Sequence, residues 1–257
     1  MVSTVQNTDV KQKDADRALV VAVTSGAVFD PGAGDGGVGV YGMGVAFPLL
    51  QALQRVNERL LQENPDESLL FDVVLITTDS QQQQQSSRII SSTRHYGLDV
   101  GRFCFSSEED FMESLLKNNV QLFLSTDRNE TLQGSQKGVL SAVLDRQEAP
   151  PEQLRVMLCG DAIVRHDTVP EPPSQKAAQS FSAQLGEMRR RFGMLDSPLS
   201  VVLVTSSGGR ESCGVALRTL RSRGLSVDEA YCLAGAPRSP ILSLLRPHFL
   251  LSDGLGD

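Results

Sequence analysis

Short apolar runs rich in β-branched residues, each stopping at small polar residues and most followed by a helical stripe, recur along this chain. That alternation restricts it to crossover units and a mostly parallel sheet flanked by helices, an α/β fold. Ala18 to Thr24 (ALVVAVT) reads as the first buried strand, followed by a glycine-dense loop and an amphipathic helix over Phe47 to Leu61. Phe71 to Asp79 (FDVVLITTD) is the next strand, then a helix over Ser86 to Tyr96, a strand at Arg102 to Phe105, a helix at Glu109 to Lys117 and a strand at Val120 to Ser125. Beyond Gln147 to Gln153 (QEAPPEQ), polar with two prolines and expected to link two lobes, the pattern restarts. It gives a strand at Leu154 to Leu158, a helix over Ala177 to Phe192 and a strand at Leu199 to Thr205. A helix at Glu211 to Arg223, a strand at Ala230 to Leu233, a helix at Pro240 to Leu245 and a strand at Phe249 to Leu251 follow.

The two halves match in short blocks. Val73 to Thr78 resembles Val201 to Ser206, and Ala22 to Phe29 resembles Met157 to Val164. The run ending at Cys104 resembles that ending at Cys232, and the run ending at Asp127 resembles that ending at Asp253. The expectation is an internal duplication of one α/β unit: a disordered tail over 1–17, an N-terminal lobe over 18–146, a linker over 147–153 and a C-terminal lobe over 154–257. In the repeat register Thr24 falls where the second half has Cys159, so the first lobe is expected to be non-catalytic.

Composition narrows the class of partner. A formal net charge of −7 argues against binding nucleic-acid polymers, whose phosphates recruit clustered Lys and Arg. The four cysteines and three histidines lack zinc-site spacing and suit a reducing, cytoplasmic setting. No run approaches the roughly 18 apolar residues of a membrane span. Gly32, Gly34 and Gly37 formally match a dinucleotide-binding pattern, but they do not open a helix directly off a strand, and a mobile loop is the expectation. Gln81 to Gln85 is low complexity in a loop or helix start, and Arg189 to Arg191 reads as a solvated helix end.

Loops at the C-terminal ends of adjacent parallel strands converge on one crevice. In the second half this gathers Cys159-Gly160-Asp161, Thr205 to Gly209, Ala234 to Arg238 and Ser252-Asp253. Read from chemistry alone, these segments make an anion site with carboxylates beside it. Thr205 and Ser206 offer hydroxyls, Gly208 and Gly209 open the backbone to an oxyanion, and Arg238 adds a cation. Asp161 and Asp253 can take a proton or hold a divalent metal. His166 reads as a solvated loop histidine.

The blocks GDA, VVLVTSS, LAGAPRSP and FLLSD, with AFPLLQALQRVNERL and FDVVLITT upstream, resemble the cytosolic 5'-nucleotidases of type I, in the haloacid dehalogenase superfamily. The resemblance implies a haloacid-dehalogenase-like fold and magnesium-dependent hydrolysis of nucleoside 5'-monophosphates, AMP foremost, by way of an aspartyl-phosphate. It implies Asp161 as the acid/base, Thr205 as a phosphoryl-binding hydroxyl and Asp253 as a metal ligand, with homo- or hetero-oligomers with paralogues as a further expectation. Three positions depart: Cys159 replaces the nucleophile aspartate, Arg238 the motif lysine and Ser252 one acid of a terminal pair, for which Asp257 is a candidate substitute. The stretch from Arg165 to Gln175 is also shorter than the family's, thinning the cap over the base. A thiolate is a soft, poor ligand for magnesium, and losing the nucleophile costs many powers of ten in rate. Two readings stand: a crippled nucleotidase, or a silent paralogue that binds nucleotide or regulates an active partner. Cys159 and Arg165 also form C-x5-R, the spacing of cysteine phosphatases, but the intervening Asp161 and apolar residues do not suit that anion loop.

Overall fold

The computed structural model describes residues 2–32, 39–78, 86–107, 109–144, 149–160, 173–193, 196–206 and 209–251. Within them the α/β reading holds: two parallel-rich sheets are flanked by helices, as in haloacid-dehalogenase-like proteins.

The first sheet has six strands in the order β1-β6-β5-β2-β7-β8. They are β1 (Ser3–Gln6), β2 (Leu19–Thr24), β5 (Phe71–Thr77), β6 (Arg102–Phe105), β7 (Leu122–Ser125) and β8 (Leu140–Val143), while β3 (Phe29–Asp30) and β4 (Gly42–Met43) form a separate antiparallel hairpin. The second sheet has four, β11 (Glu229–Cys232), β10 (Leu199–Thr205), β9 (Leu154–Cys159) and β12 (Phe249–Leu251), all parallel. The helices are α1 (Ser25–Val28, a single turn), α2 (Phe47–Glu63), α3 (Ser86–His95), α4 (Phe111–Lys117), α5 (Arg128–Gln136), α6 (Pro173–Arg191), α7 (Gly209–Ser222) and α8 (Ser239–Leu245).

Strand alternation sorts side chains onto two faces. Val21 and Val23, Val73 and Leu75, Val156 and Leu158, and Val201 and Leu203 all enter one continuous core that spans both sheets and includes the apolar faces of α2, α6 and α7. The opposite face of the first sheet, with Val20, Ala22, Val74, Ile76 and Phe123, is covered by residues of α4 and the segments around it, among them Phe111 and Leu115. On the opposite face of the second sheet Met157, Val202 and Val204 form a small buried cluster, under a short α8 that itself buries none of its side chains.

Four expectations change. The N-terminal residues are not a disordered tail: β1 pairs antiparallel with β6, Asn7 Nδ2 donates to the Val100 carbonyl at 2.9 Å and Lys13 pairs with Asp99 at 2.6 Å, so the segment closes an otherwise open sheet edge. A helix, α5, and a strand, β8, occupy the stretch after β7 that carried no assignment. Of the arginines ending α6, Arg190 and Arg191 are exposed as expected, but Arg189 is largely covered and grips Asp228 at 2.5 Å. The repeat register also shifts. Pairing relates Val73 to Val201 and Ala22 to Met157 as expected, but relates Phe105, not Cys104, to Cys232, and Leu122, not Phe123, to Phe249.

Both halves nevertheless share one strand order, β6-β5-β2-β7 in the first and β11-β10-β9-β12 in the second. Open α/β sheets of unrelated origin share such orders, so the likeness is one of architecture. Of the remaining sequence features, Gly34, Gly37 and Gln81 to Gln85 lie outside the described residues.

Candidate functional site

In the second sheet β9 and β10 run side by side, with Cys159 opposite Val204. Cys159 therefore ends its strand one step short of Thr205, and both are buried, at 5% and 1% exposure. Gly160 makes their closeness possible. A Cβ there would sit 2.4 Å from Thr205 Cγ2, with Leu203 and Ala216 at 3.2 and 3.3 Å, so no larger residue fits between this turn, β10 and α7. The Thr205 hydroxyl lies 3.5 Å from the Tyr231 carbonyl, at the outer limit of a hydrogen bond, which leaves its proton weakly held.

The turn after β11 folds back onto the same strand end. Leu233 N–H donates to the Thr205 carbonyl at 2.9 Å and Gly235 N–H to the Ser206 carbonyl at 2.7 Å. Two consecutive left-handed residues, Ala234 at φ 50° and Gly235 at φ 90°, make that reversal. It delivers Arg238 to the start of α8, where Arg238 Nε donates to Ser206 Oγ at 2.5 Å. Arg238 and Ser206 are thus joined one residue beyond the buried Thr205, at the C-terminal edge of the parallel sheet where the neighbouring strand ends in Cys159 and Gly160. This is the arrangement that receives an anionic group in open α/β folds.

Of the residues expected in the site, the structure brings together Cys159, Thr205, Ser206 and Arg238. Asp161, Asp253, Ser252, Asp257, Arg165 and His166 lie outside the described residues. Among the described residues no group of three or more His, Cys, Asp and Glu side chains gathers as a metal site. A hard dication requires carboxylate oxygens, whereas these strand ends present a thiol, hydroxyls and a guanidinium. The carboxylates expected to hold magnesium, Asp161 and Asp253, with Asp257 as a candidate substitute, lie outside the described residues. Sequence reasoning missed the packing demand on Gly160 and the Ser206 to Arg238 bond; the first was readable in principle, because a glycine directly after a buried strand marks a close approach.

A family model described as 5'-nucleotidase matches residues 39–184 and 168–256. The chain is a divergent member of the cytosolic 5'-nucleotidase family. The human protein Cytosolic 5'-nucleotidase 1B is 34% identical over 238 residues, an alignment covering 82% of this chain and 39% of that protein. The chain thus spans well under half the length of this relative. Among the described residues no helix is long and apolar enough to cross a membrane.

Proposed function

We propose that the crevice at the ends of β9 and β10 binds a nucleoside 5'-monophosphate, with AMP as the first candidate, by its phosphate group, and that hydrolysis there is slow. The observation that carries this reading is the Arg238 Nε to Ser206 Oγ bond, which fixes a guanidinium at the end of β10, on the residue after Thr205. Arg238 would grip two phosphate oxygens with its fork, while Ser206 sets its orientation and Thr205 donates its weakly held proton. Asp161, next in the chain after Gly160, would protonate the departing ribose 5'-oxygen as a water oxygen bonds to phosphorus and the ester bond breaks, releasing nucleoside and inorganic phosphate. Magnesium, held by Asp161 and Asp253, would neutralise phosphate charge when bound.

The position that should attack phosphorus is the buried Cys159 thiol. This favours the second reading, a silent relative that binds nucleotide without turning it over, and it makes the rate the discriminating quantity. Phosphate release from AMP with magnesium should be near background in the wild type and rise in Cys159→Asp, while calorimetry detects AMP binding in both. Wild-type release that disappears in Asp161→Asn would establish a working nucleotidase and reject the silent reading. Absence of AMP binding would sink both.

A further inference from the structure

Outside this site, buried polar groups concentrate at the C-terminal ends of the first sheet. β2, β5, β6 and β7 each lead into a pair of hydroxyl residues: Thr24-Ser25, Thr77-Thr78, Ser106-Ser107 and Ser125-Thr126. Thr24, Ser25, Thr77, Ser106 and Ser125 are all more than nine-tenths buried. Buried hydroxyls require acceptors, and among the described residues one carboxylate, Glu130, accepts from this set. Glu130, in the first turn of α5, turns back across the strand ends and accepts from Ser125 Oγ at 2.6 Å, with Thr78 Oγ1 at 3.4 Å from its other oxygen. Thr24 Oγ1 reaches Ser125 Oγ at 3.4 Å, and Thr77 Oγ1 donates to Ser25 Oγ at 2.9 Å.

The place matters as much as the contacts. β2 and β7 flank the point where the strand order of the first half reverses, as β9 and β12 do in the second, and such switch points are where open α/β sheets receive ligands. By strand pairing Thr24 stands where the second sheet has Cys159, and Thr77 where it has Thr205. In the second half that edge is left to an outside anion. In the first half an anion is already present, and it belongs to the protein.

We propose that the crevice at the ends of β2, β5 and β7 is a cradle for a phosphate-type oxyanion that the chain keeps filled with the Glu130 carboxylate. With Glu130 in place an incoming phosphate meets like charge and finds the Ser125 donor taken. With the carboxylate removed, Ser125 Oγ and Thr78 Oγ1 lose that acceptor, with Thr24 Oγ1 behind Ser125, and a tetrahedral oxyanion takes its place. A phosphate group can enter the native protein only by displacing Glu130 and with it the first turn of α5. The inference uses the architecture of the first sheet and is independent of any activity in the second.

Calorimetric titration of the full chain with inorganic phosphate, in phosphate-free buffer, tests it. Glu130→Ala and Glu130→Ser should each bind one phosphate per chain more than the wild type, and Glu130→Ala combined with Ser125→Ala should lose the added site. At phosphate about tenfold above its Kd, the thermal midpoint of Glu130→Ala should rise by about 3 °C more than that of the wild type. Any phosphate bound by the wild type reports the second sheet and is subtracted, so failure there is distinguishable from failure here. A Glu130→Ala chain that folds only on addition of phosphate supports the cradle. Folded single variants with wild-type stoichiometry overturn it, as does an added site that survives Ser125→Ala, or failure of both single variants to fold at any phosphate concentration.

Discussion

At the scale of single residues, the candidate site depends on side chains that act through one another. Ser206 holds Arg238, so Ser206→Ala should leave the cation in place but unaimed. The loss of about one hydrogen bond predicts AMP binding weaker by roughly three- to tenfold with the fold intact, measurable by calorimetry and circular dichroism. His248 gives a second expectation. Its Nδ1 accepts from the Arg155 N–H at 3.0 Å, while its buried Nε2 has no well-aligned partner among the described residues, the Pro48 backbone being near without forming a good bond. Burial, and then the Arg155 charge, lower its pKa from 6.5 to about 4. The folded protein therefore binds fewer protons than the unfolded chain in that window. The stability linked to His248 is complete above pH 6.5 and is lost as pH falls toward 4, by at most about 3 kcal/mol. Denaturant midpoints at pH 7 and pH 4.5 should differ less in His248→Asn than in the wild type; an equal difference would show that other groups carry the acid sensitivity. The site chemistry was legible where it is local, as with Thr205 and Arg238. The bond between Ser206 and Arg238 was not, because it joins residues 32 apart through a left-handed turn that residue types alone do not announce.

At the scale of elements, amphipathic helices were readable because burial on one face imposes a period, and long strands because burial on both faces leaves an unbroken apolar run. The α2 stripe from Leu49 to Leu60 and the β5 and β10 runs are the clearest cases. What escaped was weakly patterned. α5, with the sequence RNETLQGSQ, has almost no apolar stripe and buries only Thr131 and Gly134, while β1 is exposed along its length and is held by backbone pairing with one side-chain bond, from Asn118 Nδ2 to Thr4 Oγ1 at 3.2 Å. α6 shows how tightly an element can be set by one glycine. A Cβ on Gly186 would lie 2.3 Å from the Gly224 carbonyl oxygen, and Gly224 is itself fixed by its positive φ of 84° after α7. Backbone cannot step aside as a side-chain tip can, so Gly186→Ala should cost about 2 kcal/mol or more in urea unfolding. A cost below about 0.5 kcal/mol would mean that the helix slides to make room.

At the scale of the whole molecule, two sheets share one core, and α6 ties them further. Although it follows β9 in the chain, α6 reaches the first half through Glu187 to Arg17 at 3.0 Å and Gln184 to Gln121 at 3.0 Å, with Phe181, Leu185 and Met188 in the common core. Buried apolar area of this kind outweighs any surface ion pair. Thermal unfolding followed by circular dichroism and by intrinsic tyrosine fluorescence should therefore give coincident transitions. Two separated midpoints would show that the lobes melt independently. The helix also decides what happens when the backbone is cut. A protease nick between β9 and α6 would sever the chain without releasing either fragment, because the downstream piece stays gripped by the upstream one. Such a nicked protein should travel as a single species on a native gel and come apart only in denaturant.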